Sequence, residues 1–301
     1  MSFVFFNSCE KDIPVNVCEI QDDSVKIDSL KVNNKILIIG IDGFISDAMT
    51  QELTPSIYEF SQRNAYRNLS HLTEKDTYSG PNWSSILTGV HYNKHNVTDN
   101  SFDRNLFDMF PTFLNYIENN VNSINTASIV NWLPINQKIL SNDVDYFSKS
   151  QISDSLVFIE ALNLLLNNDP IKPDILFLHF DELDAAGHNF GFSSNITEYI
   201  ETLQNIDLYV DSLVSIIDSK RLFDENWMCI LVSDHGGDGY SHGDYNNIKI
   251  RETVFIVEHP SQNFKSQHKS NMTDIAPTVL DFIGISSANS DCSRDGQSIL
   301  E

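Results

Sequence analysis

The chain is short of positive charge. Only 19 lysines and arginines stand against 42 aspartates and glutamates in 301 residues, for a formal charge of −23. A nucleic-acid groove or an anionic membrane surface needs a basic face, so neither is the expected partner. If the substrate is an anion, something local must overturn this field, and bound cations are the obvious device. Cysteine is scarce as well. Cys9, Cys18, Cys229 and Cys292 are widely spaced and form no C-x-x-C pair, which excludes both a zinc ribbon and a disulfide framework. Cys229 lies in an apolar run and reads as a small buried hydrophobe. No apolar stretch after the N-terminus is long enough to span a bilayer. Internal repeats and Pro/Gly-rich linkers are missing too, and 41% hydrophobic residues suffice for one large core, so a single domain is expected.

The first residues, Met1-Ser2-Phe3-Val4-Phe5-Phe6-Asn7-Ser8-Cys9, are apolar and end in a small residue and a cysteine. They resemble the end of a bacterial lipobox, in which Cys9 would be acylated and would tether the protein to a membrane. Residues 10–34 are polar and aperiodic. The expectation is a signal remnant and tether over 1–34, a catalytic domain over 35–301, and a periplasmic or cell-envelope location, with lipid anchoring through Cys9.

What the chain has is a regular alternation of strands and helices. Lys35 to Ile41 is a continuous apolar run, as expected for a central strand covered on both faces. Further strands are expected near Ser128–Val130, over Asp174–Phe180, Trp227–Val232 and Thr253–Val257. Helices are expected from Thr54 to about Arg67, from Pro111, over Ser153–Asn168, from about Asn195 to Lys220, and over Thr273–Phe282. In the longest of these, Tyr199, Leu203, Ile206, Val210, Leu213 and Ile217 recur at three- and four-residue spacing, the pattern of one buried stripe. The implied fold is α/β, a mostly parallel central sheet with helices on both faces.

The segment from Asp76 to Gly89 reads as a loop turning into a short helix, with Pro81 in the first turn and Gly89 just past the end. Ser79 then sits at the positive helix end, either as a cap or as a nucleophile facing an anionic substrate. Hard ligands collect at strand ends. Asp42 follows the first strand, Asp184 and His188 follow the Asp174–Phe180 strand, and Asp234 and His235 follow the next, with His242 shortly after. Asp184 and His188 share a helix face at four-residue spacing. Carboxylate and imidazole together suit zinc or a similar divalent ion. His179, His259 and His268 read as structural or surface residues, and His91, Lys94 and His95 as a solvated loop.

Ile41-Asp42-Gly43, Ser79-Gly80-Pro81-Asn82, Leu87-Thr88-Gly89, Asp184-Ala185-Ala186-Gly187-His188, Asp234-His235-Gly236 and His242-Gly243 occur in one order over about residues 35–285. In this the sequence resembles the alkaline phosphatase superfamily, and within it the type I phosphodiesterase/nucleotide pyrophosphatase branch. The resemblance implies two divalent ions, zinc by preference. One would be held by Asp42, Ser79, Asp234 and His235, the other by Asp184, His188 and His242. It also implies Ser79 as nucleophile, Asn82 as donor to a phosphoryl oxygen, and a small phosphorylated substrate cleaved through a phosphoseryl intermediate.

The sequence also departs from its relatives. Serine stands at 79 where that branch usually has threonine, and only six residues separate His235 from His242, where the branch carries a long insert. Trp83 replaces the arginine that a sulfatase needs, and no arginine lies near Ser79 in sequence. A neutral donor at Asn82 favours diesters or phosphonate monoesters. The alternatives are a phosphomonoesterase and a metal-dependent phosphosugar mutase, the latter usually carrying an inserted domain for which there is no room. A metal-stabilised binding protein would be expected to lack a ligand or the nucleophile, and none is missing.

Overall fold

The computed structural model describes residues 33–121, 123–166, 171–285 and 294–301. Cys9 and the expected tether up to residue 32 lie outside them, and Asn34, expected as the end of the tether, already belongs to the first strand. The strands are β1 (Asn34–Ile41), β2 (Ala65–Leu72), β3 (Thr126–Val130), β4 (Tyr146–Phe147), β5 (Ile175–Phe180), β6 (Asn226–Val232) and β7 (Glu252–Glu258). The helices are α1 (Pro55–Gln62), α2 (Ser79–Thr88), α3 (Tyr92–His95), α4 (Phe113–Asn120), α5 (Asp154–Leu165), α6 (Glu182–Phe190), α7 (Thr197–Arg221), α8 (Ile248–Arg251) and α9 (Ile275–Phe282).

Among the described residues the seven strands form one sheet in the order β2-β7-β6-β1-β5-β3-β4. β6, β1, β5, β3 and β4 pair in parallel, while β7 runs antiparallel to both β6 and β2. The apolar runs explain why the centre lies where it does. In β1, Ile36 and Ile38 enter one core cluster, and Leu37, Ile39 and Ile41 enter the other. β5 divides the same way, Ile175 and Phe177 against Leu176, Leu178 and Phe180. Such a strand has no face for water, so it can only be central. The expected α/β class with a mostly parallel, doubly covered sheet is the observed one.

One expected helix is wrong in its second half. α1 stops at Gln62, and Ala65–Leu72 forms β2, paired with β7 from Ala65↔Glu258 to Leu72↔Glu252 with a bulge between Asn68 and His71. The apolar spacing of Leu53, Ile57 and Phe60 extends by eye to Ala65, but the available edge of β7 takes the following residues as a strand.

Candidate active site

β6, β1 and β5 are neighbours in the sheet, so the residues that follow them emerge side by side at one edge. Asp42 comes directly after β1, Asp234 and His235 after β6, and Asp184 and His188 lie on α6 after β5. Ser79 is the first residue of α2. Tyr78 precedes it in the cap position, and Ser79 makes no capping bond. The cap reading of this serine therefore falls. Gly89 closes the helix in the left-handed conformation at φ 74°, as its position suggests.

The side chains converge. His235 Nε2 lies 3.4 Å from Ser79 Oγ, 3.3 Å from Asp42 Oδ1 and 3.4 Å from Asp234 Oδ2. His188 Nε2 lies 3.1 Å from His242 Nε2 and 3.3 Å from Asp184 Oδ2, and His242 Nε2 is 3.8 Å from Asp184 Oδ1. The rings of His235 and His242 stack at 3.8 Å, which makes the two groups neighbours. The structure thus brings seven residues to one place: Asp42, Ser79, Asp184, His188, Asp234, His235 and His242.

Proton accounting shows what the arrangement lacks. His235 Nδ1 bonds the carbonyl of Gly236 at 2.8 Å, His242 Nδ1 that of Thr77 at 2.7 Å, and His188 Nδ1 that of Tyr240 at 2.9 Å. A carbonyl can only accept, so each Nδ1 carries a proton, and each ring in its neutral form turns an Nε2 lone pair inward. Those lone pairs face one another and the carboxylates at 3.1–3.4 Å. Asp42 Oδ1, Asp184 Oδ1 and Asp234 Oδ2 are buried without a hydrogen-bond partner. Lone pairs against lone pairs, around orphaned carboxylate oxygens, fit divalent cations and fit little else. Asp42–Asp234–His235 and Asp184–His235–His242 are both tight enough to share an ion.

Burial, together with the charges of Asp42 and Asp184, pushes the Asp234 carboxyl well above the usual range. Burial also works to raise Asp42, but bonds from His179 and Trp83 and the imidazole charges outweigh it and hold the carboxyl at about 2. Burial lowers His242 to about 4, while the bond to Asp184 raises the half-exposed His188 to about 9, so without an ion His188 keeps a second proton at Nε2, which a bound cation would displace.

Other residues near the site depart from their sequence readings. Asn82 is fully buried; its Oδ1 accepts from the Glu74 amide at 2.8 Å, and its Nδ2 donates to the carbonyls of Tyr78 (2.8 Å) and Asp76 (3.2 Å). The amide expected to grip substrate instead braces the loop before Ser79. His95 is not in a solvated loop. It is buried, and its Nε2 donates to Ser85 Oγ at 2.9 Å, while Ser85 Oγ and His91 Nδ1 both donate to Glu74 Oε1. His179 is structural, as expected, but it touches the site through Asp42 at 3.1 Å. Its position at the carboxyl end of a central strand was the only signal in the sequence.

Beside the site a cleft of about 400 Å³ is lined by Phe190, Phe192, Tyr240 and Lys249, among others, with Phe192 edge-on to His188 at 5.4 Å. Among the described residues no helix is long and apolar enough to cross a membrane.

Residues 36–259 match the family model for type I phosphodiesterase / nucleotide pyrophosphatase. Among relatives, human bis(5'-adenosyl)-triphosphatase ENPP4 is 27% identical over 227 residues, 67% of this chain but only 47% of its own length. The chain therefore spans about half the length of the relatives it matches. Among solved structures, an inactive variant of murine ENPP5 in complex with AMP superposes with a TM-score of 0.69 at 13% identity, covering 89% of this chain and all of that one. The periplasmic C-terminal domain of EptC from Escherichia coli, in complex with Zn, gives 0.61 at 17% identity, covering 93% of this chain and 88% of that one. At such identities these two show a shared fold. With the family model matching well over half of its length, the chain belongs to the type I phosphodiesterase / nucleotide pyrophosphatase family.

Proposed function

We propose that the protein is a divalent-metal hydrolase of phosphate esters that works through a covalent phosphoseryl intermediate on Ser79. The observation that carries this reading is the inward set of three imidazole Nε2 atoms and three orphaned carboxylate oxygens around the Ser79 hydroxyl. Asp42, Asp234, His235 and Ser79 would hold one ion; Asp184, His188 and His242 would hold the other, with zinc the first choice for this ligand set. Bound there, the ions would supply Lewis acidity, easing loss of the Ser79 proton and neutralising charge on the phosphoryl oxygens.

The chain's own groups do the rest. Ser79 Oγ stands at the positive end of the α2 dipole, where the Gly80 amide is already given to Asn100 Oδ1 at 2.8 Å and Pro81 has no N–H, so the dipole and the proposed ions, not free amides, favour an anion there. It attacks phosphorus and displaces the leaving alcohol; water then cleaves the phosphoseryl ester and frees Ser79. The diester preference expected from Asn82 loses its original support, because that amide is spent on the loop. Charge supports it instead: a diester brings one negative charge fewer than a monoester into a site walled by Asp42, Asp184 and Asp234. Family membership points the same way. A nucleotide-like substrate is consistent with AMP in the ENPP5 complex. A cell-envelope location rests on the lipobox-like start and on the periplasmic EptC domain.

The test is chemical trapping. Acid-quenched enzyme turning over bis-p-nitrophenyl phosphate should carry a p-nitrophenyl phosphoryl group on the peptide containing Ser79, one nitrophenol having left, and Ser79→Ala should lose several orders of magnitude in kcat while folding normally. The aryl phosphoryl group trapped on another residue would refute the assignment.

A further inference from the structure

Asp42 has one oxygen to give, because the other is already occupied. Its Oδ2 accepts from Trp83 Nε1 at 2.9 Å and from His179 Nε2 at 3.1 Å, while its Oδ1 has no hydrogen-bond partner. Neither donor is exposed. Trp83 follows Ser79 by four residues on α2, so the two occupy one side of the helix. Its indole lies against β1 at Gly40, where an added Cβ would come within 2.6 Å of the ring. It also meets His179 edge-on at 4.8 Å and Phe177 at 6.0 Å. His179 is the β5 partner of Gly40 in the sheet register. The helix bearing the nucleophile and two central strands therefore meet at a single carboxylate oxygen.

We propose that Trp83 and His179 are positioning residues. By reserving Oδ2 they make Asp42 a one-oxygen ligand, and Trp83 thereby fixes the nucleophile's helix relative to the cation that Ser79 and Asp42 would share. This rests on the two-cation reading above. The alternative role for Trp83 is core filling, with its N–H merely finding a convenient acceptor. The two roles differ in what the N–H does. If it only needs an acceptor, removing it costs local stability and leaves the ions alone. If it reserves Oδ2, removing it frees the carboxylate to rotate or to offer both oxygens, and one ion site changes while the other does not. The Asp184–His188–His242 group shares no hydrogen bond with Trp83 or His179, so it serves as the internal control.

The experiment is a calorimetric titration of the chelator-stripped full chain with Zn²⁺ alone. It compares wild type, Trp83→Phe, His179→Phe and the double variant, with melting temperatures of the metal-free proteins alongside. Trp83→Phe keeps an aromatic ring and loses the donor; His179→Gln, which retains an N–H, serves as the conservative rescue. The proposal expects one of the two Zn²⁺ to weaken by about 10- to 100-fold in each Phe variant, the other to stay unchanged, and His179→Gln to recover part of the loss. The two Phe substitutions should be non-additive, since both act on the same oxygen. Native affinity for both ions in Trp83→Phe would overturn it. Equal weakening of both ions in step with a fall in the metal-free melting temperature would overturn it as well, in favour of core filling. If wild type itself binds fewer than two ions, the two-cation reading fails first and takes this proposal with it.

Discussion

Asn82 shows how residue type and residue role part company. An asparagine three residues after the proposed nucleophile invites a substrate-binding role, yet its amide is consumed by Glu74, Asp76 and Tyr78. Asn82→Ala is expected to destabilise the fold by roughly 1–3 kcal/mol, because it strands buried backbone groups. Urea unfolding of the metal-free variant checks this; a purely substrate-binding amide would leave the midpoint unchanged. At this scale the residues that converge at the sheet edge were legible because the metal chemistry proposed for them restricts their type. Few residues other than Asp and His can serve at Asp42, Asp184, His188, Asp234, His235 and His242, and their order along the chain is distinctive. Trp83 and His179 were not legible. A buried tryptophan and a strand histidine are ordinary, and only the fold puts both donors on one carboxylate oxygen.

At the scale of elements, strands with two buried faces announced themselves and edge strands did not. β1, β5 and β6 read as unbroken apolar runs, whereas Ala65–Leu72 carries Arg67, Asn68 and Ser70 and becomes a strand only by pairing with β7. The boundaries of α2 were legible because Pro81 and Gly89 act through local backbone chemistry. What holds its far end was not. Arg294 Nε donates to the carbonyl of Thr88, and the amides of Asp295 and Gly296 both donate to that of Gly89, so a segment some 200 residues away in sequence closes this helix. Gly89→Ala is therefore expected to cost roughly 1–2 kcal/mol for its left-handed backbone alone. Crowding adds to this, since the new Cβ would lie 2.9 Å from Arg294 Cδ and 3.0 Å from Ala276 Cβ. A smaller loss in denaturant melts would show that the helix end tolerates rearrangement.

For the molecule as a whole, charge and burial set how it responds to acid. Burial lowers both His71 and His95 to about 3, and neither is exposed. Each is neutral when folded and titrates near 6.5 when unfolded, so the unfolded chain binds more protons as the pH drops. The stability these residues contribute is complete above pH 6.5 and is lost as the pH falls from there towards 3. The slope approaches roughly 1.4 kcal/mol per pH unit for each histidine. Asp154 and Asp181, held at about 6 and about 7 by burial, act the other way over the same range, so the urea midpoint alone does not isolate the histidines. NMR of the chelator-treated protein should show both imidazoles still neutral at pH 5; protonation of either between pH 7 and pH 5 would contradict the account.

The fold class was legible at this scale because alternating helical and apolar segments leave little besides a doubly covered sheet. The strand order and the antiparallel β7 were not, being decided by which edges remain free once the centre has formed. The central claim is that seven side chains at one edge of that sheet make a phosphoryl-transfer site only when divalent cations join them. Hydrolysis of bis-p-nitrophenyl phosphate by metal-stripped protein, followed as Zn²⁺ is added back, tests it most directly. No turnover before addition, and recovery that is complete at two equivalents per chain, is the predicted result; full turnover by the stripped protein would contradict it.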